Sequence, residues 1–239
     1  FKARCTDKFL VRDYIKESGY SEILIDIYKV YERVEEVDFQ ELPDKFVMKC
    51  THGSGFNIIC SDKNKLDEKQ TLLKLKKWMK TDYAQFAAET HYSKIKPRII
   101  VEKFLEEEEG KLPMDYKIHC FHGEPKYIEV ILDRGTPFTK CITFNCKWER
   151  LPYTEQSMQL NMQIKKPKKI NEILEISKVL SNAFHYVRVD FYYINNQIYF
   201  GELTFTPSAC VDTDYINDAG YQIGKWLDLT KVHSVEITK

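Results

Sequence analysis

Followed as an alternation of apolar and polar positions, the chain reads as short strands joined by tight turns, with a few helices between them. Val187-Arg188-Val189-Asp190-Phe191 alternates strictly, and beyond Asn195-Asn196-Gln197 comes Ile198-Tyr199-Phe200-Gly201-Glu202-Leu203-Thr204-Phe205. Two such runs around polar residues that tolerate unusual backbone angles predict a β-hairpin. A second hairpin is predicted from Asp115–Phe121 and 126–134, turning at His122-Gly123-Glu124-Pro125, and its alternation puts Asp115, Lys117, His119 and Phe121 on one face. Residues 46–60 read as strand, small-residue loop, strand. The run 98–105 after Pro97 is nearly continuous in apolar residues, which predicts burial on both faces, and the acids Glu106–Glu109 mark its emergence. Residues 138–152 predict a further strand or two. Helical spacing appears over 6–18, with Thr6 and Asp7 as N-caps and Gly19 as the stop, over 65–81, over 168–184, where the apolar stripe suits packing on a sheet, and briefly at 221–227. Residues 231–239 carry no strong signal, and no repeat or low-complexity linker divides the chain.

Composition narrows the classes. A chain of 239 residues suffices for one large domain or two closely packed lobes. Lys plus Arg equals Asp plus Glu at 36 each, so no global field draws nucleic acid or a membrane surface, and any anion must be gripped locally. Seven cysteines without a C-x-x-C pair favour free thiols and a reducing, cytoplasmic setting. No run is long and apolar enough to span a bilayer, and no signal peptide is expected. The opening Phe1, without an initiator Met, suggests a trimmed N-terminus.

Three places carry candidate chemistry. In the late hairpin Asp190 and Glu202 can share a face, and two close carboxylates in an apolar setting are commonly stabilised by a divalent cation. Arg188 shares the face of Asp190, and an acid pair beside a fixed guanidinium suits phosphoryl chemistry. An ion-paired surface hairpin accounts for the same residues equally well. Earlier, Gly53-Ser54-Gly55 lets backbone N–H groups approach an anion, with Lys49 at the end of the preceding strand supplying charge. This is not the G-x-x-x-x-G-K-[ST] loop, most such turns are only turns, and His52 can be a ligand or an ordinary loop histidine. Lys8 and Arg12, one helical turn apart, could face one anion or be simply solvated.

The order of Phe46-Val-Met-Lys49-Cys-Thr-His-Gly53-Ser54-Gly55, then Asp115-Tyr116-Lys117 with Asp133-Arg134, then Arg188-Val-Asp190 with Gly201-Glu202-Leu-Thr204-Phe205, resembles the ATP-grasp superfamily of carboxylate ligases. Within it the chain looks like the TupA-like group associated with teichuronopeptide and other bacterial surface polysaccharides. The resemblance runs from about Asp7 to Gly224. It implies an α+β ATP-grasp fold, two lobes of antiparallel sheet plus helices clamping ATP. The expected organisation is one ATP-grasp unit over 1–230, with a helical part at 1–45, a small lobe at 46–98 carrying the phosphate-covering loop, a large lobe at 99–230 carrying the metal site, and a tail at 231–239. The same resemblance implies that Lys8, Lys49, Gly53, Ser54 and Gly55 bind the phosphates. Glu102-Lys103-Phe104-Leu105 would pair with the adenine edge, and Glu109 would take the ribose. Magnesium would rest on Asp190 and Glu202, with Thr204 where D-alanine ligases commonly have Asn.

The activity that the resemblance implies is that of an ATP-dependent ligase: the γ-phosphoryl of ATP moves to a carboxylate, and an amine attacks the acylphosphate to give an amide. Lys117, Arg134 and Arg188, with Lys49, would offset the repulsion between two anions and stabilise the transferring phosphoryl group. The expected partners are ATP, magnesium, a carboxylate-bearing sugar or glycan precursor such as a uronic acid of a capsule or wall polymer, and an amine or amino acid. Two other readings stay open. A glycosyltransferase would need a nucleotide-sugar site, for which Asp212-Thr213-Asp214 has the Asp-x-Asp spelling. A non-catalytic nucleotide or glycan binder would have no need for the clustered acids. The lobe carrying Gly53–Gly55 is expected to be mobile without nucleotide.

Overall fold

The computed structural model describes residues 1–87, 89–107, 112–216 and 218–231. The chain forms two compact units: Phe1–Glu17 with Leu24–Gly110, and Ser18–Ile23 with Lys111–Lys239.

The first unit opens with α1 (Lys2–Thr6) and α2 (Val11–Glu17) rather than with one helix over 6–18. Buried Asp7 stands between them as the expected N-cap of the second: its Oδ1 accepts from Phe9 N at 2.8 Å and Leu10 N at 3.2 Å, and its carbonyl from Val11 N at 2.9 Å. Next come β1 (Ile27–Tyr31), β2 (Phe46–Cys50), β3 (Asn57–Cys60), α3 (Glu68–Met79), α4 (Tyr83–Ala87) and β4 (Ile99–Lys103). The four strands form one antiparallel sheet in the order β1-β4-β2-β3. β4, between two partners, buries Ile99, Ile100, Val101 and Glu102, as its apolar run predicts. One sheet face, with Phe46, Met48, Cys50, Ile99 and Val101, packs against Leu75 of α3 and against Phe39 and Leu42. Val47, Lys49, Ile100 and Glu102 share the other face by register.

The second unit contains β5 (Asp115–Phe121), β6 (Glu124–Leu132), β7 (Lys140–Asn145), α5 (Glu155–Gln159), α6 (Ile170–Ser181), β8 (Tyr186–Ile194), β9 (Gln197–Thr204) and α7 (Ala219–Gly224). Its antiparallel sheet runs β7-β6-β5-β8-β9. Both hairpin turns are tighter than the sequence suggests. Positive φ at two successive residues, 51° and 78° at His122-Gly123 and 49° and 65° at Asn195-Asn196, gives two-residue turns whose twist matches the strands. One sheet face is apolar, with Ile118, Cys120, Ile128, Val130, Val187 and Val189, and α6 packs against β5, β6 and β8. The other face carries nearly all the charge.

Candidate active site

In the first unit the Thr51–Phe56 turn is pinned at its base. Thr51 N donates to Arg98 O at 2.9 Å, Thr51 Oγ1 to Lys96 O at 3.1 Å, and Cys50 N to Phe56 O at 3.0 Å. Phe56 stacks on Trp78 at 5.3 Å between ring centroids, Tyr83 meets it edge-on at 5.5 Å, and His52 Nε2 lies 3.0 Å from Trp78 O. His52 is thus built into an aromatic platform, and burial lowers its pKa. Gly53 is fixed by space, since a Cβ there would come within 2.7 Å of the Phe56 ring, and Gly55 by conformation, with φ +75°. Ser54 between them is exposed.

Two cations meet this turn and its strand. Lys8 Nζ donates to Gly53 O at 2.7 Å. Lys49 Nζ lies 2.6 Å from Glu102 Oε2, with side chains 15% and 8% exposed. That pair was hidden from sequence reading, which gave Glu102 only a backbone role; Lys49 and Glu102 sit diagonally on adjacent strands, β2 and β4, a relation visible only once register is known. Arg12 is directed elsewhere, donating to Ile25 O at 2.8 Å. Of the adenine-edge residues, Lys103 already donates its backbone N–H to Asp26 O at 2.9 Å, Phe104 is buried and Leu105 is half-buried. Glu109 lies outside the described residues.

In the second unit strand register lines up Thr143, Glu129, Lys117, Asp190 and Glu202 across all five strands. Next to this row run Tyr127, His119, Arg188 and Thr204. Gly201 is the extra residue of a bulge opposite Asp190/Phe191, and a Cβ there would come within 3.0 Å of Asp190 O. Arg188 grips Asp190 with both edges of a fork, Nε to Oδ1 and Nη2 to Oδ2, each at 2.7 Å. Its Nη2 also reaches Glu202 Oε1 at 3.3 Å and Thr204 Oγ1 at 3.1 Å, and Thr204 donates to Glu202 at 3.0 Å. Lys117 Nζ completes the set at 2.9 Å from Asp190 Oδ2. Burial pushes the Asp190 carboxyl up, but Arg188 and Lys117 outweigh it and hold its pKa at about 2.

The predicted residues Lys117, Arg188, Asp190, Glu202 and Thr204 therefore form one network. Arg134 joins it through charge, feeling Glu202 and Asp190 while donating to Asp115 Oδ1 at 2.6 Å with nearly half its side chain exposed. Asp115 is buried, its Oδ2 has no hydrogen-bond partner among the described residues, and burial raises its pKa against the pull of Arg134. Sequence reading passed over Glu129, Tyr127 and Tyr215. Glu129 Oε1 accepts from Tyr215 Oη at 2.7 Å, Oε2 lies 3.2 Å from His119 Nε2, and His119 Nδ1 meets Tyr186 Oη at 2.9 Å. Period-two alternation along 124–132 was the signal that could have placed Glu129 beside Lys117.

Among the described residues no three or more His, Cys, Asp and Glu side chains gather as a metal site. Of the oxygen donors on this face, those gathered around Arg188 are two carboxylates, Asp190 and Glu202, and the Thr204 hydroxyl. Magnesium is ordinarily held by one or two carboxylates together with substrate phosphates, and a set of that size fits it.

Two antiparallel sheets, each joined to helices, make this an α+β protein of the ATP-grasp fold. The chain belongs to the TupA-like ATPgrasp family, whose model matches residues 2–226. No curated protein matches it. It is similar in structure to a D-alanine–D-alanine ligase from Bacillus anthracis complexed with ATP, at 15% identity and a TM-score of 0.54, over 92% of this chain and 61% of that one. It is also similar to an L-amino acid ligase from Bacillus licheniformis, at 14% identity and a TM-score of 0.51, over 84% of this chain and 42% of that one. Likeness at such identity is one of fold, and the chain spans less than two thirds of either ligase. Among the described residues no helix is long and apolar enough to cross a membrane.

Proposed function

We propose that this protein is an ATP-dependent carboxylate–amine ligase that works through an acylphosphate, with a uronic acid or similar carboxylate of a bacterial surface polysaccharide precursor as co-substrate. The observation that carries this reading is the buried row in which Asp190, opposite Glu202, is clasped by Arg188 and Lys117. A surface ion pair needs no burial, and here Arg188, Asp190 and Lys117 are held nearly buried in β-strands at the cost of desolvation. Family membership and the ligase folds it resembles support the same conclusion.

Roles follow from what each group can do. Lys8, Lys49 and the Gly53–Gly55 turn bind the phosphates of ATP, Lys49 exchanging Glu102 for a phosphate oxygen. Backbone groups of the 102–105 segment serve the adenine, and because the Lys103 N–H is committed to Asp26, the N–H groups of Phe104 and Leu105 are the remaining donors. Asp190 and Glu202, with Thr204, hold magnesium, which when bound offsets phosphate charge. Lys117 and Arg188 stabilise negative charge on the transferring phosphoryl group, and Arg134, on a buried carboxylate, presents its outer edge to an anionic co-substrate. The amine then attacks the acyl carbon, and phosphate leaves.

The test is direct: incubate the protein with ATP, magnesium and a panel of uronic acids and amines, and follow ADP and phosphate. ADP formation that requires both co-substrates is expected. Release of UDP from a sugar donor instead would mark a glycosyltransferase, and nucleotide binding without turnover a binding module.

A further inference from the structure

Most lysines and arginines of the first unit are answered by acids, but those of α3 are not. Lys29 meets Glu41 at 2.6 Å, Lys45 meets Glu106 at 2.7 Å and Lys96 meets Glu32 at 2.6 Å. From Lys69 to Lys80 the chain carries five lysines and no acid, and among the described residues none of the five forms an ion pair. Lys69, Leu73, Lys76, Lys77 and Lys80 recur at helical spacing, so four of these lysines surround Leu73 on one outward face about 16 Å long. All are exposed, Leu73 by 52%. α3 packs through Leu75 on the sheet face that holds Phe46 and Met48, and its lysine face therefore points away from the side bearing Lys49 and Glu102. Beside Leu73 an open hollow of about 560 Å³ is lined by Val34, Leu72 and Leu73 together with Glu35, Glu68, Lys69 and Lys76.

We propose that this face of α3 docks the protein on an anionic lipid bilayer, with the lysines against headgroup phosphates and Leu73 and its hollow against the acyl boundary. The proposal goes beyond the ligase reading and does not depend on it. Lysines whose head groups have no fixed partner meet a diffuse negative surface without rearrangement, whereas a protein interface centres on a few buried anchors. All the cations on this face are lysines, point charges that need no matched geometry; fork-shaped recognition of single anions is the work of arginine. An exposed leucine amid the charges adds an apolar contact that an anionic sugar chain does not answer. A basic patch combined with an apolar contact is the two-part signal for membrane attachment. Glu35 and Glu68 work against the attraction, so it is the lysine excess that binds, and salt screens it.

The experiment mixes the full chain with vesicles of phosphatidylcholine and phosphatidylglycerol, or of phosphatidylcholine alone, and reads the bound fraction by co-sedimentation. Binding about tenfold or more tighter to the anionic vesicles is expected, falling as salt rises from about 0.1 M to about 0.5 M. Each lysine at the surface is worth about fivefold in affinity, so Lys76→Ala combined with Lys77→Ala should weaken binding about 25-fold. Leu73→Ser should weaken it about tenfold. The control is Lys165→Ala combined with Lys166→Ala, the same loss of charge at exposed positions of the second unit, which should stay within about twofold. Urea midpoints equal to that of the wild type show that each variant folds, and the comparison of the two vesicles on the wild type stands without them. Equal binding to both vesicles, or equal losses in the two lysine pairs, overturns the proposal. Full affinity in Leu73→Ser overturns it too, since charge alone would then account for binding. Capture of soluble polyglucuronate without capture of vesicles would give the face to a glycan, and binding to neither would leave it to an acidic protein; both outcomes exclude the bilayer.

Discussion

Two buried lysine–carboxylate pairs do different work in this molecule. Lys49 and Glu102, 2.6 Å apart, set an ammonium on a carboxylate near the end of two adjacent strands, with the Arg12 guanidinium near enough to feel the Glu102 charge. Lys117 and Asp190, 2.9 Å apart, belong to a network in which Asp190 also takes a bidentate Arg188 and the guanidinium reaches on to Glu202 and Thr204. A carboxylate that meets an ammonium end-on gives it up to an incoming anion more readily than one gripped by a bidentate guanidinium. A carboxylate with two cations is over-determined and keeps its geometry, which is what a site for charge stabilisation requires. On the proposed function, the first region suits exchange and the second preorganisation.

The largest expected effect tests that difference. Asp190→Ala strands Lys117 and Arg188 without a shared counterion, and should cost about 3 to 5 kcal/mol of stability in urea unfolding. Glu102→Ala strands one ammonium at a strand end, and its cost should be about half as large. Equal losses would break the comparison. Next in size is Glu202→Gln. This side chain is one-third exposed and keeps an oxygen for Arg188, so stability should change by less than about 1 kcal/mol. ADP formation should nevertheless fall about a hundredfold or more, as for a lost preorganised contact of about 3 kcal/mol. Wild-type turnover in that variant would remove Glu202 from the site.

How far the row could be read from sequence depends on register. Alternation along 187–191 and 198–204 put Asp190, Arg188 and Glu202 on one face, because side-chain direction in a strand has period two. A turn names the neighbour within each hairpin, but nothing local says which hairpin lies next to which. The order β7-β6-β5-β8-β9 is what sets Lys117 directly between Glu129 and Asp190. The same limit hid Lys49–Glu102 and the reach of Tyr215 back to Glu129, 86 positions away in the chain. In the 6–18 segment the Asp7 cap was legible, since a short carboxylate ahead of an apolar stripe suits the free N–H groups of Phe9 and Leu10, whereas the helix Lys2–Thr6 before it is too short to carry a period.

An acid titration sharpens the contrast further. Burial pushes the Glu129 carboxyl up, but His119, Arg188 and the Tyr215 hydroxyl together hold its pKa at about 2, against 4.5 for an ordinary glutamate. A depressed folded-state pKa means that the stabilisation is complete above about pH 4.5 and is lost as pH falls toward 2, a contribution of about 2 to 3 kcal/mol. Asp115 and Asp7 act in the opposite sense, since burial raises both and protonation then favours the folded state. Urea midpoints at pH 6 and pH 3 should therefore fall more in the wild type than in Glu129→Gln. Equal falls would mean that Glu129 carries no charge in the folded protein.

The smallest effects lie in the exchange region and separate conformation from space. At Gly55 φ is +75° and nothing stands within 4 Å of the point a methyl group would occupy, so Gly55→Ala costs only the left-handed backbone penalty, about 1 to 2 kcal/mol. Gly55→Asn should recover part of that loss, because asparagine visits this region more readily. At Gly53 φ lies outside the left-handed range, but a methyl would come within 2.8 Å of two Phe56 ring atoms and 3.0 Å of Tyr83. Gly53→Ala must displace a ring stacked on Trp78, at about 1 to 3 kcal/mol, and asparagine gives no relief there. Shortening the obstacle should: Phe56→Leu in the Gly53→Ala background should restore part of the lost stability, and the same change should do nothing for Gly55→Ala. Identical responses at the two glycines would show that the turn is held by one cause, and the aromatic platform would then lose its part in shaping it.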